Sequence, residues 1–277
     1  MKKVLALDIG GTNTRGALIN ENYQIERCII KHTPFKNKKK FIENIFSIID
    51  NFSFDNVAAI GAGVPGVVDV EKKFIKVLPN VGIGNINLGE NIKDTFNLDL
   101  FIRNDAQTAC LAEATLGKGK GFDRVFFVTI STGLGGSLCV NGVIQEYLTE
   151  VGHTLFPYKD SYQEFEIAAG ANIAKLAKLN GVAITSAQEM FEKVRNNSQD
   201  GLKLFEEWFS IIKRYFILMN DSYQPDIFVV TGGFMKSKDL FFDRLKKEIP
   251  EADIEECFFD DRAGLIGSAV YAFQNIK

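Results

Sequence analysis

A glycine-rich turn that follows an apolar strand occurs twice in this chain, and it limits the folds the chain can adopt. Near the start, Val4-Leu5-Ala6-Leu7 runs into Asp8-Ile9-Gly10-Gly11-Thr12-Asn13-Thr14-Arg15. Far downstream, Val125–Ile130 runs into Ser131-Thr132-Gly133-Leu134-Gly135-Gly136-Ser137. Glycine tolerates positive φ and close approach, so each turn can offer a row of backbone N–H groups to an anion. One such turn in each half predicts two walls of a cleft with phosphates between them.

The flanking pattern supports a duplication. Strand-like runs cover Val4–Ile9, Arg15–Ile19, Gln24–Ile30, Val57–Val64 and Leu98–Arg103. A helix fits Lys38–Phe52, where Phe41, Ile42, Ile45, Phe46 and Ile49 fall at helical spacing. A short hairpin fits Val67–Val77, and a helix runs from Asp105 to about Leu116, with Gly117 as its stop. The pattern then restarts. Val125–Ile130, Gly136–Val140 and Gly142–Ile144 repeat the three-strand meander, and helices dominate from Phe165 to Asp221. Ile227–Thr231 reads as a last buried strand entering Gly232-Gly233, and Ala263–Phe273 as a closing helix. No repeat of about 20–50 residues is present, so this is a duplication and not a solenoid. The predicted fold is α/β with a small domain over 1–108 plus 263–277 and a large domain over 109–262.

Net charge is −3 over 277 residues, which gives no electrostatic case for nucleic acid or an anionic membrane. The basic run from Lys36 to Lys40 reads as a solvated helix start. Cys28, Cys110, Cys139 and Cys257 have no metal-ligand spacing and read as reduced thiols of a cytoplasmic protein. Asp8 ends the first apolar run too early for a signal peptide, and no run of about 18 apolar residues exists to span a membrane.

Asp8 closes a strand beside glycines and the Thr12 hydroxyl, a combination suited to Mg²⁺ and phosphate. The segment lacks the Gly-Lys-Ser/Thr of a Walker loop and the GxGxxG of a dinucleotide site. An ordinary tight hairpin is the competing reading, weakened by the second copy downstream. Asp105 stands where a strand hands over to a helix. It can cap that helix, or it can face a cleft as the general base that takes a proton from an alcohol during phosphoryl transfer. Asn104 beside it could orient the same substrate. Glu150 and His153, spaced across Gly152, could reach a polyol; a surface or core histidine is the plainer alternative.

With these motifs in order, the chain resembles the ROK family of sugar kinases, within the actin/hexokinase/Hsp70 superfamily of ribonuclease H-like folds. Asp8–Arg15 looks like its D-x-G-G-T-x-x-R, and Gly63–Asp69 followed by Pro79-Asn80 like its G-x-P-G-x-V-D and P-N segments. Asn104-Asp105-Ala106 is similar to its N-D-A, Ser131–Gly136 to its second phosphate loop, and Glu150–His153 to its E-x-G-H. Val230–Gly233 matches its glycine pair and Ala263–Ala269 its last helix.

The resemblance implies a two-domain, actin-like ATPase fold that closes on its sugar and excludes water. It implies ATP and Mg²⁺ as cofactors, with Asp8 holding the metal through water. Asp105 would activate the sugar's primary hydroxyl. Gly66, Asn80, Asn104, Asp105, Glu150 and His153 would bind a small-molecule hexose, with Glu166 preferred over Glu164 as a further contact. Gly10, Gly11, Thr12, Thr132 and Gly133 would cradle phosphates, and Gly232 and Gly233 would approach the nucleotide. A cytoplasmic homodimer is the family's common state.

Two departures stand out. Family members follow E-x-G-H with a cysteine cluster that makes a structural zinc site, whereas residues 154–166 contain no cysteine. Zinc needs about four ligands, so no zinc site is expected. Ile83 also stands where the family has an aromatic after P-N. The expected activity is glucose phosphorylation to glucose 6-phosphate, with an N-acetylhexosamine or fructose as alternative acceptor. A sugar-responsive regulator or non-catalytic binding scaffold is the reading from another class. The regulator is disfavoured because Asp8 leaves no room before it for a helix-turn-helix.

Overall fold

The computed structural model describes residues 1–146 and 150–276. The chain divides into two compact units, Met1–Gly117 with Phe258–Lys277, and Lys118–Cys257.

In the first unit, strands β1 (Lys3–Ile9), β2 (Asn13–Asn20) and β3 (Ile25–His32) form the expected meander. Helix α1 (Lys38–Ile49) follows, capped by the Asn37 side chain on the Lys40 amide. Then come β4 (Val57–Val64), the small sheet β5 (Val67–Asp69), β6 (Phe74–Leu78) and β7 (Ile83–Ile86), helix α2 (Leu88–Phe96), β8 (Leu100–Asn104) and α3 (Asp105–Leu116). The main sheet has the order β3-β2-β1-β4-β8, with β1, β4 and β8 parallel. Alternating apolar residues of these strands, with Phe41, Ile45 and Ile48 of α1, bury one core.

The second unit repeats this plan. Strands β9 (Arg124–Ile130), β10 (Leu134–Val140) and β11 (Val143–Ile144) form the meander, and β12 (Leu155–Tyr158) pairs with β13 (Ser161–Glu164) as a hairpin. Helices α4 (Ile173–Leu179), α5 (Ala187–Arg195) and α6 (Gln199–Tyr223) precede β14 (Ile227–Thr231), α7 (Phe242–Glu248) and β15 (Ile254–Glu256). The sheet order β11-β10-β9-β14-β15 matches the first sheet strand for strand, with β9, β14 and β15 parallel. Its core is aromatic: α6 buries Trp208, whose ring stacks on Phe234 at 5.2 Å and whose Nε1 donates to Ala168 O at 2.9 Å. The chain then returns to the first unit as α8 (Ala263–Asn275).

The expected boundaries at 108/109 and 262/263 cut through α3 and after Phe258–Arg262, and the structure moves both. Helix α3 belongs wholly to the first unit because it lies directly on α8. A Cβ on Gly267 would stand 1.7 Å from Thr108 O, so glycine is required for that approach. Fully buried Glu113 of α3 also accepts the amides of Phe258 and Phe259, each at 2.9 Å. The second glycine turn is also shorter than expected. Leu134, Gly135 and Gly136 already pair with β9, leaving Ser131–Gly133 as the turn. Residues 165–172 form two 3-10 turns where longer helix was expected, because Ala169 between them is extended at φ −75°, ψ 158°. Among the described residues no helix is long and apolar enough to cross a membrane.

Candidate active site

In both sheets the residues of interest sit at the C-terminal edge of parallel strands, where strands hand over to loops and helices. Such edges are where open α/β sheets bind ligands.

In the first unit, Asp8 is the penultimate residue of β1, and β8 ends with Asn104 before Asp105 opens α3. Asn104 does two jobs at that junction. Its Oδ1 accepts the Ala106 amide at 3.0 Å as the helix cap, and its Nδ2 donates to Gly66 O at 3.1 Å. Gly66 holds φ +105° with Val77 O only 2.4 Å from where a Cβ would be, so this loop needs glycine. Asp105 Oδ1 also accepts the Ala106 amide, at 2.8 Å.

Asp8 is mostly buried, its side chain 22% exposed. Its carboxyl is pushed up from 3.8 to about 7, chiefly by loss of water and then by the charge of Asp105; Arg15 pulls the other way and Asp261 adds to the rise. Arg15 lies 3.9 Å from Asp8 and 2.8 Å from Asp261. A Cβ on Gly264, in the first turn of α8, would lie 2.6 Å from Asp8 Oδ1.

The first glycine turn is held from outside. Gly10 N donates to Asn13 O at 2.9 Å, while Thr33 donates its amide to Thr12 O and its hydroxyl to Gly10 O, both at 2.8 Å. Asn80 packs on Gly11, 3.1 Å from where a Cβ would be. Among the described residues no acceptor meets the Gly11 and Thr12 amides. In the second unit the same holds for Thr132 and Gly133, while Ser131 N donates to Gly133 O at 2.8 Å. Partnerless amides at a tight turn fit phosphate oxygens.

Thr132 and Gly233 also line a cavity of about 600 Å³ with Gly170, Ala171, Gln188, Phe191 and Phe234. A mainly apolar cavity beside partnerless amides fits the base and ribose of a nucleotide. Gly232, just before Gly233 in the chain, holds φ +109° with Ile130 O 2.2 Å from a would-be Cβ, and a Cβ on Gly233 would meet nothing within 4 Å.

His153 Nε2 lies 3.7 Å from Glu150. Both are about half exposed. His153 Nδ1 lies 2.8 Å from Glu164, and that bond raises the imidazole above its usual 6.5. Glu166 goes elsewhere: its Oε2 accepts the Leu134 amide at 2.7 Å. Burial raises its carboxyl above the usual range, and the Leu134 amide opposes that rise.

Mg²⁺ suits the first unit. It binds through one or two carboxylates and several waters, and the Asp8 carboxyl, crowded by the charge of Asp105, is the group a cation would relieve. Zinc does not suit the stretch after His153, which forms the β12–β13 hairpin and offers no thiolate.

Several participants escaped sequence reasoning. Thr33, Arg15 with Asp261, and Gly264 come from distant chain segments. Glu164 was weighed only as a sugar contact. Gly170, Phe191 and Phe234 join the cavity through α5 and a 3-10 segment whose sequences look like core.

A sequence model of the ROK family matches residues 4–274. The chain is 23% identical to glucokinase from Streptomyces coelicolor, covering 97% of this chain and 97% of the relative. The ROK hexokinase from Thermus thermophilus has a similar fold, with a TM-score of 0.85 at 20% identity over 99% of both chains. A ROK family glucokinase from Streptomyces griseus, solved in complex with glucose and AMPPNP, gives a TM-score of 0.79 at 22% identity, covering 99% of this chain and 100% of that one. The family match spans nearly the whole sequence: the chain belongs to the ROK family.

Proposed function

We propose that the chain is an ATP-dependent sugar kinase that phosphorylates the primary hydroxyl of a hexose, with glucose the favoured acceptor. The observation that carries this is that Asp8 of β1 and Asp105 after β8 lie close enough at one edge of the sheet for the charge of Asp105 to act on Asp8, beside a turn with two partnerless amides. Glucokinase and hexokinase relatives support the sugar and nucleotide classes.

A sugar hydroxyl is a weak nucleophile at neutral pH, so a positioned carboxylate must take its proton as it attacks. Asp105 is assigned that role. The bond from the sugar oxygen to the γ-phosphorus forms, the bond from that phosphorus to the β–γ bridging oxygen breaks, and ADP leaves with the electron pair. The hydroxyl proton passes to Asp105. In the first unit the Gly11 and Thr12 amides would meet phosphate oxygens, whereas Gly10, expected there too, has its amide on Asn13 O and shapes the turn. In the second unit Thr132 and Gly133 would meet phosphate oxygens, and the cavity lined by Gly233 would take the nucleoside. Gly66, Asn80 and Asn104 are assigned as sugar partners in the first unit, and Glu150 and His153 as the polar groups that the second unit offers to a hydroxyl-rich ligand. Asp8 would hold Mg²⁺ through water, and the ion, when bound, supplies positive charge to the phosphates.

ATP consumption with a panel of hexoses tests this. Turnover with glucose that falls by about 10²–10⁴ in Asp105→Ala supports the assignment. Undiminished turnover in that variant removes Asp105 as the base.

A further inference from the structure

The chain leaves the first unit after Gly117 and returns to it at Phe258, and the two crossings differ in slack. On the outward crossing, Gly117 N is still held by α3, on Ala112 O at 3.2 Å and Glu113 O at 3.1 Å. Among the described residues, the first one bonded through its backbone to the rest of the second unit is Asp123, whose carbonyl accepts Asn141 N at 2.6 Å. Gly119 and Gly121 lie between these anchors, and Gly121 holds φ +94° with open space around it. The return crossing has no such slack. Cys257 N donates to Val230 O of β14 at 2.9 Å, and the next amide, Phe258 N, donates to Glu113 Oε1 at 2.9 Å. Each unit therefore holds one of two consecutive residues.

Glu113 stands at both crossings. It is fully buried in the last turn of α3, and its Oε1 accepts the Phe258 and Phe259 amides together. A Cβ on Gly117 would stand 2.2 Å from its Oε2, so the outward crossing passes the same carboxylate only because that residue has no side chain. Helix α3 itself does not call for an acid here, since the C-terminal end of a helix favours cations. Burying a carboxylate is costly unless it is hydrogen-bonded. The two amides supply those bonds, and amides on a charged acceptor bond about twice as strongly as on a neutral one.

We propose that Glu113 is a positioning residue that fixes the pivot between the two units at the Cys257–Phe258 link, with the glycine-rich outward crossing following the motion. Hinges of this kind are a few residues at element ends, away from the chemistry. The consequence for turnover rests on the kinase reading, because the groups assigned to phosphate and sugar are divided between the units. The anchoring itself is a property of the free protein.

The test compares wild type, Glu113→Ala, Glu113→Gln and a Gly-Gly insertion between Cys257 and Phe258. The insertion keeps Glu113 and both amides, and a loop lengthened by two residues costs little stability. Amide hydrogen exchange at Phe258 and Phe259 is measured on the free protein. The distribution of distances between the units is measured by electron spin resonance, with spin labels on Lys39→Cys and Lys203→Cys and the exposed Cys28 replaced by serine. Glu113→Ala should exchange both amides at least about tenfold faster and broaden the distance distribution. Glu113→Gln, which keeps an acceptor oxygen, should restore most of both. The insertion should broaden the distribution, and kcat with glucose should fall by about 10- to 100-fold in it and in Glu113→Ala. A wild-type distance distribution in folded Glu113→Ala or in the insertion variant would overturn the proposal. So would unchanged exchange at Phe258 and Phe259 in Glu113→Ala, or a Glu113→Gln protein as broad as Glu113→Ala. If Glu113→Ala does not fold, the insertion decides alone. If wild type phosphorylates no hexose, the kinase reading fails by itself, and the exchange and distance measurements still decide what Glu113 holds.

Discussion

Gly264 and Asp8 are in direct contact: a Cβ on this α8 residue would lie 2.6 Å from Asp8 Oδ1 and 2.8 Å from Cγ. The last helix therefore sets where the carboxylate can stand. Gly264→Ala tests this relationship. Alanine gains up to about 1 kcal/mol of helix propensity over glycine, and the atom it strikes ends a side chain that can move. Stability should therefore stay within about 1 kcal/mol of wild type by urea unfolding. Phosphoryl transfer should fall at least about tenfold, the consequence of moving a group that must be precisely placed. Full activity in a folded Gly264→Ala protein would show that the position of Asp8 is not critical.

The raised Asp8 carboxyl gives a pH signature in the ligand-free protein. The folded chain keeps the Asp8 proton up to about pH 7, whereas an unfolded aspartate releases it near 3.8. Stability from this group is fully present below 3.8, declines as pH rises toward 7 and is lost above that. Asp8→Asn has no such dependence. Its melting temperature should exceed that of wild type by an amount that grows from about pH 4 to 7 and then levels, while its kinase activity is lost. A gap between the two proteins that is constant from pH 4 to 8 would contradict the assigned environment.

Glu164 holds His153 by the 2.8 Å bond to Nδ1, and this bond is the main cause of the raised imidazole pKa. Histidine NMR titration should find the His153 midpoint above 6.5 in wild type and lower in Glu164→Gln. With both side chains about half exposed, the stability change should be small. An unshifted midpoint in the variant would show that the pair does not form in solution.

The two meanders were legible because the first strand of each, β1 and β9, is apolar and runs into glycines, so pattern and punctuation agree. Helix α2 was not. It is nine residues long, contains Gly89 and presents only Leu88, Gly89 and Ile92 to the interior. The β12–β13 hairpin was equally hidden, since its four-residue strands include Pro157 and are mostly polar on one side. At the site, Asp8, Asp105 and the glycine turns were visible as local motifs. Arg15 pairs with Asp261 across 246 positions, and Gly264 meets Asp8 from the far end of the chain. No local pattern encodes such pairs. The hydrogen bonds of Glu164 and Glu166 were not legible either: one meets His153 and the other the Leu134 amide.

The central claim is that Asp105 activates the primary hydroxyl of a hexose toward ATP. The most direct measurement is phosphorus NMR of the reaction with ATP and Mg²⁺, using glucose and 6-deoxyglucose as acceptors, for wild type and Asp105→Ala. The account predicts glucose 6-phosphate from glucose, no sugar phosphate from 6-deoxyglucose, and a rate lower by about 10²–10⁴ in the variant. A phosphorylated 6-deoxyglucose, or equal rates in the two proteins, would contradict it.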